Sequence, residues 1–154
     1  MEKTSYEIHN NLWSSPYDTI VKLMDKYQPI SDKFFQHPIL HEISHQAGND
    51  PNKPNISAEN SERFKRQNEV FKFLWMHPKM KNLWFNDNYR DKYGYTAIER
   101  MRITYNYYND DLKSFVKENI CPQIEETELI NLSNNFSDKL YMIKNVEIFG
   151  ELCN

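Results

Sequence analysis

Glycine is scarce: 3 residues in 154, at Gly48, Gly94 and Gly150. A turn-rich all-β fold needs more of them, so the shortage points to helices. Cysteine is scarce too, with Cys121 and Cys153 alone and no Cys-x-x-Cys spacing. So wide a separation in a chain without a secretory signal reads as two free thiols. No apolar run approaches the roughly 18–20 residues of a membrane span. The opening Met1-Glu2-Lys3-Thr4-Ser5-Tyr6 has neither a basic nor an apolar signal region. The expected location is the cytoplasm, or a host cell reached without a classical signal peptide. The Asn-x-Ser sequons at Asn55, Asn131 and Asn135 therefore carry no expectation of glycosylation. A Gly-rich phosphate loop and Gly-x-Ser-x-Gly are both missing, which leaves kinase, nucleotide-binding and serine-hydrolase chemistry nothing to rest on.

What is present suits one domain over 1–154 with a real core. Apolar residues make up 39% and aromatics 14%, enough to oppose disorder despite 27% charged residues. The net charge of −3 is uneven: −3 over residues 1–61, +5 over 62–108 and −5 over 109–154. A basic middle between acidic ends can steer a partner.

Apolar periodicity predicts a weak helix over 5–13 and a clear one from Tyr17 to Tyr27, with Ile20, Leu23 and Met24 on one face. A loop over 29–37 carries Phe34 and Phe35. Pro38 opens a helix that Gly48 stops near Ala47. After a loop over 49–60, a long helix runs from about Ser61 to Met76 and Pro78 closes it. An aromatic-rich extended or looped stretch over 79–94 leads to a helix that starts at Tyr95-Thr96 and runs to about Tyr107. A shorter helix covers Asp110 to Asn119. Pro122 should then separate a last pair of helices, about 124–134 and 137–150. The spacing sets no domain boundary. Helix pairs separated by turn chemistry suggest internal repeats.

The segment Asp91-Lys92-Tyr93-Gly94-Tyr95-Thr96-Ala97-Ile98-Glu99-Arg100-Met101 resembles the opening of an ankyrin repeat, D-x-x-G-x-T-P-L-H-x-A. Asp91 and Gly94 suit a tight turn. Thr96 and Glu99 form a Thr-x-x-Glu capping box. Pro38-Ile39-Leu40-His41-Glu42-Ile43 resembles the same helix start. The strings 69–78, Thr19 to Met24 and Asp111 to Val116 are similar to the second ankyrin helix. Leu40 and Ile98, in equivalent positions, lie 58 residues apart. A regular array has about 33. An insertion over 49–66 accounts for the excess.

The resemblance covers about 17–118. It implies an all-α, short, irregular ankyrin-like helical-repeat solenoid, with a C-terminal helical cap over about 122–150. It also implies protein recognition without a cofactor, through loop tips and the concave face of the first helices. By position these are Phe34 and Phe35 in one tip, and Trp84, Phe85, Asn88, Tyr89 and Arg90 in the other. On the inner helices they are Glu42, His45 and Gln46, with Glu99 and Arg102. Similar degenerate proteins of AT-rich bacteria and large viruses imply a host-interaction effector or inhibitor, its protein partner unnamed.

Two rival readings remain. His41-Glu42-Ile43-Ser44-His45 is a literal H-E-x-x-H, so His41 and His45 are candidate zinc ligands and Glu42 a candidate general base of a small metallopeptidase. Its extended form wants a ligand at position 51, which is Pro51, with Asp50 one residue off. Glu62 and Glu69 are the remaining candidates for a third ligand. Bases (Arg63, Lys65, Arg66, Lys72, Lys79, Lys81, Arg90, Lys92) interleave with Trp75, Trp84, Phe85, Tyr89 and Tyr93, as on a single-stranded nucleic-acid surface. No recognised motif supports that surface and the net charge opposes it. The repeat pattern favours a binding module over an enzyme.

Overall fold

Three of the described helix starts follow local side-chain capping. A computed structural model describes residues 2–28, 38–124 and 153. The expected tip at Phe34 and Phe35 and the expected helices beyond residue 124 lie outside the described residues. The described elements are α1 (Glu2–Asn11), α2 (Tyr17–Met24), α3 (Ile39–Gln46), α4 (Ala58–Met76), α5 (Pro78–Lys81), α6 (Ala97–Thr104) and α7 (Asp110–Phe115). The all-α expectation holds: the described residues contain one isolated antiparallel bridge, Arg90 to Thr96, and no strand. No helix among them is long and apolar enough to cross a membrane.

The long helix α4 begins three residues earlier than the sequence suggested, because Ser57 caps it by accepting from the Asn60 N–H at 3.2 Å. It stops where Pro78 forces His77 into an extended conformation. His77 then caps α5, its Nδ1 accepting from the Lys79 N–H at 3.1 Å. Burial, followed by the Lys79 ammonium, holds the His77 pKa below its usual range, which suits a ring nitrogen that accepts. The stretch over 79–94 was expected to be extended or looped. Its first residues, 79–81, belong to α5, since Pro78 at the first helical position has no N–H to leave unsatisfied, and residues 82–94 hold no helix, as expected.

The backbone falls into two compact units, Met1–Asn109 and Asp110–Asn154. In the first, α1 packs on α2 and α3, α3 on α4 and α6, and α2 on α4. Helices α1, α3 and α6 therefore form one row, and α2 and α4 a second beside it. Between the rows lie Ile8 and Leu12 of α1, Ile20 and Met24 of α2, Leu40 and Ile43 of α3, Val70, Phe71, Leu74 and Trp75 of α4, and Ile98 and Met101 of α6, all buried. Ser44 joins three helices. Its hydroxyl donates to the Leu40 carbonyl and accepts from Trp75 Nε1 at 3.0 Å, while its carbonyl accepts from the hydroxyls of Thr104 and Tyr108. Burial raises the Tyr108 pKa, so the phenol stays a donor.

Two expectations fail in the second unit. Pro122 does not break the helix: α7 continues through a π-helical turn, Val116–Ile120, and residues 121–124 are helical. A proline clashes with the carbonyl four residues back and has no N–H of its own. The wide turn relieves this ladder just upstream, where the Cys121 N–H reaches the Val116 carbonyl five residues back. The cysteines are not free thiols either. Cys121 and Cys153 form a disulfide with Cα atoms 5.3 Å apart. Separation along the chain says nothing of separation in space, and the fold brings the two together.

Candidate functional site

The turn before α6 is built as its residues dictate. Asp91 Oδ1 accepts from the N–H groups of Tyr93 and Tyr95 at 3.0 and 2.9 Å. The Gly94 N–H donates to the Asp91 carbonyl at 3.0 Å, and Gly94 has φ +86. Thr96 and Glu99 make both bonds of the capping box. Arg90 closes the turn from outside, donating to the Gly94 and Asp87 carbonyls and pairing with the Asp87 and Glu99 carboxylates.

His41 ties α3 to that turn. It is buried, and its Nε2 stands 2.8 Å from the Tyr95 carbonyl, a contact that makes this nitrogen the donor. His45 is exposed, with Nδ1 3.4 Å from an Arg100 nitrogen. The two imidazoles of the H-E-x-x-H string thus meet different surroundings. Glu42 Oε1 accepts from Gln46 Nε2 at 2.9 Å. Glu62 and Glu69 are exposed on α4, and Glu69 pairs with Lys72 at 3.8 Å. No group of three metal-ligating side chains occurs among the described residues.

The structure gathers Glu42, His45 and Gln46 of α3, and sets beside that helix α6, which carries Glu99 and Arg102. All five side chains are exposed or half-buried. Sequence reasoning missed Arg100, which reaches His45 across the two helices. Its signal was its spacing from Thr104: both sit at i and i+4 on α6, and Thr104 bonds the Ser44 carbonyl of α3.

The second tip needs correction. Trp84 and Tyr89 are each only 2% exposed. Trp84 packs against Trp75, ring centroids 5.3 Å apart. Tyr89 lies under α3, 5.3 Å from the His41 ring, with its hydroxyl 3.4 Å from the Leu40 N–H. A polar neighbourhood in sequence does not expose a ring that a helix elsewhere in the chain can cover. Phe85 is half-buried, Asn88 is exposed and Arg90 is held within its own turn. Tyr93, at 61% exposed, is the outward aromatic of the segment.

The same burial bears on the nucleic-acid reading. Stacked bases need open ring faces, and Trp75, Trp84 and Tyr89 offer none. Several of the basic residues are engaged internally. Arg66 donates to the carbonyls of Asn11, Leu12 and Ser15, and Lys79 to those of Met24, Asp25 and Tyr27. Arg63 lies over the Trp13 ring.

No protein-family model, curated protein or solved structure matches the chain.

Proposed function

We propose that this chain is a protein-binding module, a short and irregular ankyrin-like stack that captures its partner on the polar face of α3 and α6. One observation carries the reading. The two helix starts that resemble each other in sequence, at Pro38 and Thr96, begin helices that pack side by side. His41 of one reaches the Tyr95 carbonyl beside the other. This is the relation expected of first helices in neighbouring repeats, each burying a face that it cannot bury alone. The row carries Glu42, His45, Gln46 and Arg102 exposed or half-buried, with Phe85, Asn88 and Tyr93 on the segment that enters α6. A host-cell protein as the partner belongs to the same proposal.

The test reverses charge on the face. A chain carrying Glu42→Lys, His45→Asp and Arg102→Glu keeps its helical circular dichroism and its melting temperature within a few degrees. Its partner, captured from cell extract with the unaltered chain, binds at least tenfold more weakly by calorimetry. Full affinity in a folded triple variant sinks the proposal.

A further inference from the structure

The two bonded cysteines meet solvent differently. Cys121 is 3% exposed, next to Ile120 on the buried side of the helix that also presents Leu112, Val116 and Ile124. The π-helical turn before it sets this phase, since an extra residue rotates the downstream positions by about 100° relative to an unbroken α-helix. Cys153, 32 positions on, is half-buried. An attacking thiolate must approach a sulfur in line with the S–S bond, so access decides which sulfur is attacked.

We propose that the Cys121–Cys153 disulfide is a redox-operated clasp on the second unit, opened by a dithiol reductant that attacks at Cys153. One thiolate of the reductant bonds to Sγ of Cys153 and breaks the S–S bond. Sγ of Cys121 leaves as a thiolate and takes up a proton. The second thiol of the reductant, deprotonated, attacks the reductant's own sulfur in the mixed disulfide and expels the Cys153 thiolate, which is protonated in turn. The reductant ends as a disulfide, and two electrons and two protons have passed to the protein. The polarity suits the site: a neutral Cys121 thiol behaves as a small apolar side chain and stays on its stripe. Cys153, the half-buried residue of the pair, carries the mixed intermediate.

The experiment uses the full chain, equilibrated with a mixture of reduced and oxidised glutathione. Thiol titration finds no free thiol before dithiothreitol is added and two afterwards. Reduction raises amide hydrogen exchange in residues 110–124 at least tenfold and leaves residues 39–76 unchanged. Brief exposure to reduced glutathione, an acid quench and peptide mapping place the adduct on Cys153. The Cys121→Ser, Cys153→Ser double variant exchanges like the reduced chain. Two free thiols in the oxidising mixture overturn the proposal, as does exchange that reduction leaves unaltered. An adduct on Cys121, or none on either cysteine, overturns the assignment of the attacked sulfur.

Discussion

Gly48 and Gly94 are both left-handed, at φ +106 and +86, yet only one is crowded. A Cβ built on Gly94 meets nothing within 4 Å. A Cβ on Gly48 would stand 2.3 Å from Cδ1 of Tyr108 and 3.0 Å from its Cα. The backbone there is also pinned, because the Gly48 N–H donates to Asn68 Oδ1 and its carbonyl accepts from the Asn109 N–H. Gly94→Ala therefore costs only the backbone conformation, about 1–2 kcal/mol. Gly48→Ala adds overpacking and costs about 2–5 kcal/mol. Urea unfolding of the two variants checks the order, and equal midpoints would refute the close approach. The sequence marked both glycines as turn residues, which is a local property. That Tyr108 closes on one of them was not legible, because 60 residues separate the two.

At the scale of elements, the first two helices are finished by cations from elsewhere. A helix end leaves up to four carbonyls without a partner in the helix. The Arg66 guanidinium, on α4, takes the carbonyls of Asn11, the last residue of α1, and of Leu12 and Ser15 beyond it; the Lys79 ammonium, on α5, takes those of Met24, the last residue of α2, and of Asp25 and Tyr27 at 2.7–3.1 Å. Each cation also meets the negative end of a helix dipole. Arg66→Met keeps most of the aliphatic stem and removes these bonds. The expected loss is about 1.5–3 kcal/mol, the range for hydrogen bonds from a charged donor. It should appear as faster hydrogen exchange over residues 5–15, with residues 97–104 unaffected; unchanged exchange in α1 would rule out the capping role. By contrast, the ends capped from within the chain's own neighbourhood were readable. Thr96 with Glu99 lies within four residues of sequence, and so does Gly48 after α3. The start of α4 at Ser57 was missed because the apolar face of the helix begins only at Phe64, almost two turns after the cap.

For the molecule as a whole, the first unit contains both helix rows and the Ser44 junction within residues 1–109. A chain ending at Asn109 is therefore expected to melt cooperatively and to keep its helical circular dichroism; a broad, non-cooperative transition would show that this unit has no core of its own. The sequence by itself determined what depends on neighbours a few residues away. It settled the helical class, the turn from Asp91 to Thr96, the capping box and the apolar stripes, because backbone propensity and capping act within about one helical turn. Only the tertiary structure decided which aromatics are covered, which cations are consumed and whether the cysteines meet. Trp84 and Tyr89 left the expected tip for the core because Trp75 and α3 lie against them. Arg66 and Lys79 became caps, and Cys121 found Cys153. Burial, distant capping and disulfide pairing depend on distances between residues far apart in the chain, and those distances exist only once the helices have packed.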